Sequence, residues 1–156
     1  MPDTFSYAGY FVDTLAFDGA TAKGEVLLQQ TLCQPGEGGK MTAGIQLLAQ
    51  RVYIEWFTEK GSVLYNKKRG TTFMTEARLG YFRTQLDVYG SFSRAKSDIA
   101  LAMAEDETLD MKPDERYGGM EIAQLAMQPG IVKMYVSLWS KAGKDRAVLL
   151  PVTWTV

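Results

Sequence analysis

Residues 130–156 read GIVKMYVSLWSKAGKDRAVLLPVTWTV, and their period decides the fold class. Val132, Met134, Val136 and Leu138 alternate with Lys133, Tyr135, Ser137 and Trp139, the two-residue repeat of a strand with one apolar face. SKAGKD at 140–145 supplies a turn. Residues 147–156 supply a return strand in which Pro151, having no amide hydrogen, suits an edge or a bulge. A terminal antiparallel hairpin is predicted.

Upstream, the period changes. In TAGIQLLAQRVYIEWFTEKG (42–61), Ile45, Leu48, Ala49, Val52 and Trp56 recur at spacings of three and four, one face of a helix. Thr42 is placed to cap it and Gly61 lies beyond its end. Leu47, Ile54 and Phe57 fall off this stripe, which predicts cover on more than one side. Thr75, Leu79, Phe82 and Leu86 keep helical spacing across Gly80, so a divided helix is expected there. SFSRAKSDIALAMAEDETLDM (91–111) predicts a further helix that begins at Ser91 or Ser93 and packs through Ala95, Ile99, Ala102 and Met103. Its acidic end, Glu105, Asp106 and Glu107, reads as a solvated surface. MKPDERYGG (111–119) reads as a loop, because proline and paired glycines disfavour a helix interior.

Before the first helix, residues 26–32 form a short strand candidate, broken by Pro35, Gly36, Gly38 and Gly39. Residues 1–24 are aromatic and weakly patterned, with Phe5, Tyr7, Tyr10, Phe11 and Phe17 among small residues. They are expected to form an arm packed on its own domain or on another subunit, since such a surface is unfavourable uncovered. The predicted class is α+β, with helices packed on a small antiparallel sheet that ends in a C-terminal β-hairpin. The arm, 1–24, precedes a single domain, 25–156.

Composition narrows the chemistry. The chain has 156 residues, enough for one hydrophobic core. Its 46% apolar and 22% charged residues are those of a globular domain. Seventeen basic against eighteen acidic side chains leave a charge of -1, which gives no long-range attraction to nucleic acid or to an anionic membrane and little repulsion against self-association. There is no histidine, which excludes Ser-His-acid and Cys-His nucleophile systems and the usual zinc sites. Cys33 is the only cysteine, so no internal disulfide forms, and the residue reads as a small buried side chain or a reactive thiol. MPDTFSYAGYFVD at 1–13 carries neither a basic leader nor an apolar core, so no secretory signal is expected. No apolar run approaches the roughly 20 residues of a spanning helix.

The densest cluster of cations lies in TEKGSVLYNKKRGTTF (58–73). Val63, Leu64 and Tyr65 read as anchors, and residues 66–70 as a polar turn. The stretch lacks the GxxxxGK[ST] spacing that wraps backbone amides around a phosphate, and it lacks GxGxxG. Lys67, Lys68 and Arg69 beside Tyr65 leave three readings open: nucleic-acid contact, a solvated turn, or a contact with protein. Paired acids at Glu105 and Glu107, Asp106 and Asp110, and Asp114 and Glu115 are close in sequence. Catalysis needs acids that converge on a substrate in different environments, and no catalytic, cofactor or metal set is assigned. A histidine-free hydrolase built on the acidic loop is the enzymatic alternative.

The segment 44–73, GIQLLAQRVYIEWFTEKGSVLYNKKRGTTF, resembles the core of the phage baseplate wedge family that initiates the contractile-tail sheath, the family related to the phage T4 lysozyme-like baseplate protein. In that family a helix carrying Gln-Arg leads to a Thr-x-Lys/Pro-Gly turn, an apolar step and a Gly-Thr segment. The matching residues here are Gln50, Arg51, Thr58, Lys60, Gly61, Gly70 and Thr71. Element order continues the resemblance through residues 93–103 and 132–156. The family's Glu-Pro-Arg signature is replaced after the helix by AEDET (104–108), with KPDER following at 112–116.

The resemblance implies a non-enzymatic virion component. It would be assembled in the host cytoplasm into the tail baseplate, in multiple symmetric copies, and would contact wedge, tail tube and sheath proteins. It would start the sheath by β-edge pairing, through an edge that a partner strand completes. On that reading Val132, Met134, Val136, Leu138, Val148, Leu150 and Val152 belong to the docking strands, with Trp139 and Trp154 reinforcing them. Asn66, Lys67, Lys68, Arg69 and Thr71 would meet a wedge neighbour. Neither a membrane nor direct nucleic-acid contact is expected. A small nucleic-acid-associated protein using Lys67, Lys68 and Arg69 is the alternative.

Overall fold

The computed structural model describes residues 44–155, together with the backbone of three short strands ahead of them, β1 Leu15–Asp18, β2 Val26–Leu27 and β3 Gln29–Leu32. Three helices follow, α1 Gly44–Phe57, α2 Phe73–Arg78 and α3 Gln85–Asp106. A single 3-10 turn, Pro113–Glu115, leads into the strands β4 Tyr117–Gln128, β5 Ile131–Ser140 and β6 Gly143–Thr155. The last three form an antiparallel meander; β2 lies parallel to β6, giving the order β2-β6-β5-β4. β1 and β3 pair with each other. The class is α+β, with the expected hairpin at the carboxyl end. The aromatic arm lies largely outside the described residues, as do Cys33, Thr42 and the turn at Pro35.

The hairpin turned out to be two thirds of a three-stranded meander. In β4 (YGGMEIAQLAMQ) a register shift between Ile122 and Gln124 leaves Ala123 unmatched on β5. A bulge of this kind shifts the parity of the alternation. Met120 and Ile122 precede it on even positions, and Leu125 and Met127 follow it on odd ones, all packed in or against the core. No single two-residue period covers the strand, which is why it escaped the pattern. Gly118 and Gly119 are strand residues, not loop: a Cβ on either would stand 2.8 or 2.6 Å from the Trp139 ring. The indole lies across both, and at Gly118 the Ser140 carbonyl is nearer still, 2.5 Å from where a Cβ would stand.

The helical expectations held for α1 and in part elsewhere. Gly80, at φ +73, separates α2 from α3 as expected. However, Leu79 and Leu86 are exposed and only Phe82 is buried, so these residues do not form one stripe. α3 starts earlier than either serine. Thr84 caps it by accepting from the Asp87 amide at 3.3 Å, while the Asp87 carboxylate accepts from the Thr84 amide at 2.8 Å. Ser91 and Ser93 lie inside the helix, and the Ala95, Ile99, Ala102 and Met103 face is buried as predicted. At the start of α1, Gly44 donates its amide to Glu115 Oε1 at 3.4 Å. The KPDER stretch therefore answers an open helix amide. The double cover expected for α1 is incomplete, since Ile54 and Phe57 are exposed.

Between helices and sheet lies an aromatic cluster. Phe73 touches Trp56, Phe82 and Trp154 with ring centroids 5.3, 5.1 and 5.5 Å apart, and Phe92 meets Trp56 at 5.6 Å. Val132, Met134, Val136 and Leu138 close it from β5, and Val148, Leu150 and Val152 from β6.

Candidate functional site

Two features bear on function: the 58–71 loop and the edges of the sheet. The loop is closed by backbone pairing. The Lys60 amide donates to the Thr71 carbonyl at 3.1 Å, Thr71 to Thr58 at 2.9 Å, and Gly61 to Arg69 at 3.2 Å. Gly70 sits at φ +90, and a Cβ there would stand 2.6 Å from the Thr58 carbonyl oxygen. The backbone leaves no space for one. Gly70→Ala is expected to cost about 2 kcal/mol from left-handed strain and that clash, measurable as a shift of the urea midpoint.

Behind this loop is a buried carboxylate. Glu55 Oε1 accepts from the Gly70 amide at 2.7 Å and Oε2 from Arg69 Nε at 2.9 Å. Arg69 then reaches α3, donating from Nη1 and Nη2 to the two Asp106 oxygens at 2.9 and 2.8 Å. The Arg51 guanidinium stands 3.6 Å from the same carboxylate. The hydrogen bond from Arg69 holds the Asp106 carboxyl below its ordinary range. Glu107 is likewise held low by Lys141, which bonds it at 2.9 Å. The acids expected on a solvated helix end are therefore partly engaged within the chain. α3 stops at Asp106, so Asp106 and Asp110 do not share a helix turn. Among the described residues no three side chains of metal-binding type gather at one point.

The loop residues singled out by sequence divide accordingly. Arg69 is an internal clamp, and Thr71 is buried, donating its hydroxyl to the Trp56 carbonyl at 2.6 Å. Lys67 and Lys68 remain exposed, with Lys67 Nζ bonded to the Gly61 carbonyl at 3.0 Å. The half-buried Asn66 accepts from the Lys68 amide through its side chain. Leu64 and Tyr65, expected to anchor inward, instead form the tip, 78% and 99% exposed. The cationic cluster is thus reduced to two lysines beside an exposed tyrosine. The cause is that the third cation is needed by two acids of α1 and α3.

The sheet residues divide by face. Val132, Met134, Val136, Leu138, Val148, Leu150, Val152 and Trp154 are all buried against the helices. The predicted alternation is real, but those side chains are the core, and only backbone at a strand edge remains for a partner. Trp139 faces the other side, laid on Gly118 and Gly119 with Lys144 Nζ 4.2 Å from its ring centre.

The edges differ in what they leave open. β6 is flanked by β2 at Val148 and Leu149. Farther along, Pro151 has no N–H to offer, and its carbonyl accepts from Tyr53 Oη at 2.9 Å. β4 has β5 on one side and no strand on the other among the described residues. Along it Ile122, Leu125 and Met127 are only partly covered. Sequence reasoning missed this edge because the bulge hid the strand. No helix among the described residues is long and apolar enough to cross a membrane. Comparisons with protein families, with curated proteins and with solved structures return no match for this chain.

Proposed function

We propose that this chain is a non-enzymatic component of a contractile phage tail baseplate. It contacts wedge and tube proteins and nucleates the sheath by accepting a partner strand on the open edge of its sheet. The observation that carries the mechanism is β4. Twelve residues of strand lie beside β5 alone among the described residues, with Ile122, Leu125 and Met127 half covered on the helix side. An incoming strand would satisfy edge amides and carbonyls and finish that apolar row. The docking edge proposed here is β4, because β6 is occupied by β2 and by Tyr53 where the hairpin was expected to be free.

A second support comes from the residues that carry the family resemblance. Thr58, Lys60, Gly61, Gly70 and Thr71 make one closed loop, and Arg51 joins it through Asp106 and Arg69. They have a common structural reason to occur together. The loop presents Leu64, Tyr65, Lys67 and Lys68 outward, the polar and aromatic mixture of a protein contact.

Ala123→Pro tests the edge. Ala123 has no Cα partner on β5, so proline at this bulge disturbs the β4–β5 register least while obstructing a strand on the other side. The folded variant is expected to enter baseplates but to initiate sheath at least roughly tenfold less often, the effect of losing one or two edge hydrogen bonds. Electron micrographs of tails reconstituted with it would show bare tubes. Normal sheaths on such baseplates would refute β4 docking.

A further inference from the structure

The bulge in β4 also decides what its open edge fits. Beyond Ala123, residues 124–128 run as regular strand against β5, from Gln124 opposite Tyr135 to Gln128 opposite Ile131. Leu125 and Met127 turn to the helices and pack against the core while staying partly exposed. Gln124, Ala126 and Gln128 therefore turn to the other face. Exposed edges are ordinarily blunted by charges, proline or bulges. Here Glu121 and the bulge lie before the stretch and Pro129 after it, and 124–128 itself has none of these. No strand lies beside it among the described residues.

We infer that in the free chain this edge is closed by a second copy of itself, β4 pairing antiparallel with β4 about a two-fold axis through Ala126. Residues opposite one another in an antiparallel ladder share a face, so the axis has to pass through a residue, and only Ala126 pairs the whole stretch. About it, Leu125 meets Met127 of the second copy and Met127 meets Leu125, which completes the half-covered apolar row. Gln124 and Gln128 meet on the other face, neutral amides that each donate and accept. Ala126 meets itself, and a single methyl group lets the strands close at the axis. An axis through Leu125 would set Met127 against the bulged Ala123. One through Met127 would set Leu125 against Pro129, which has no amide hydrogen.

Charge permits the pairing. Glu121 falls outside the paired stretch, and the chain carries only -1 overall. Lys133, opposite Ala126 on β5, would stand three strand spacings from its copy, about 14 Å, beyond the Debye length of about 8 Å at physiological salt. The contact is isologous, the commonest form of symmetric pair. Its ladder is short and its apolar contribution is Leu125 and Met127 from each copy, less than a standard interface, so the dimer is weak and concentration-dependent. A sheath strand would compete for the same backbone, but the inference concerns the free chain and does not rest on the baseplate reading.

The test uses the full chain carrying Cys33→Ser. Sedimentation should show the 17.4 kDa monomer at about 1 μM and a substantial dimer above about 100 μM. Ala126→Cys should oxidise to a linked dimer at least about tenfold faster than Gln124→Cys. The two Ala126 positions face each other at the axis, whereas the two Gln124 positions would lie about 13 Å apart along the strands, too far for a disulfide. Ala126→Lys should weaken the dimer at least about tenfold, because with Lys133 it would line up ammonium groups across the axis. The cysteine comparison decides if the lysine variant does not fold. A chain that stays monomeric throughout, equal oxidation rates, or a dimer indifferent to the lysine would overturn the pairing. Normal sheaths on Ala123→Pro baseplates would overturn the sheath mechanism and leave this pairing standing.

Discussion

Replacing Arg69 with methionine is expected to lower the unfolding free energy by about 3 kcal/mol, the scale for removing one member of a buried ion pair. The reason lies in Glu55, only 5% of whose side chain is exposed. Its carboxylate would keep the Gly70 amide and lose its cation. Asp106 would lose both hydrogen bonds that tie α3 to the loop. Urea denaturation measures the loss. The double variant Arg69→Met with Glu55→Gln should recover part of it, because the stranded charge is gone.

The same clamp has a pH signature. Asp106 titrates below its ordinary 3.8 in the folded chain. Its contribution is therefore present above 3.8 and is lost as pH falls through the lower folded value. Wild-type protein should lose stability faster than Arg69→Met as pH is taken below about 4, so the gap between the two narrows. A gap that widened in acid would contradict this electrostatic role.

Phe73→Ala is expected to cost about 3–5 kcal/mol. Phe73 is fully buried, and its ring meets Trp56 of α1, Phe82 of the α2–α3 turn and Trp154 of β6. Truncation leaves a cavity that rigid aromatic neighbours refill poorly. The loss should appear as a large drop in the urea midpoint with the slope preserved. Phe73→Leu, which keeps much of the volume, should cost well under half as much. A cost for Phe73→Ala below about 2 kcal/mol would mean that the cluster closes around the gap.

The α1 stripe, the small-residue face of α3 and the two terminal strands were legible because each follows an unbroken period. Ile45, Leu48, Ala49, Val52 and Trp56 are separated as a helix requires. Val132, Met134, Val136 and Leu138 are separated as a strand requires. The start of α3 was less legible, since Thr84 and Asp87 offer a capping pair while Ser91 and Ser93 offer competing hydroxyls seven and nine residues farther on. Residues 58–73 were recognisable as a turn with cations, but their partners were not: Arg69 bonds residues 14 and 37 positions away.

By itself, then, the sequence determined the α+β class, the buried faces of α1 and α3, the break at Gly80 and the absence of histidine from the chain. These depend on local period and on composition, which no distant contact alters. Only the tertiary structure decided that Arg69 is a clamp rather than a free cation, that the alternating residues of β5 and β6 serve the core, and that β4 is the open edge. Each of those depends on which groups meet across the fold. A bulge at Ala123, a carboxylate on another helix and a tyrosine on Pro151 leave no periodic trace in the chain.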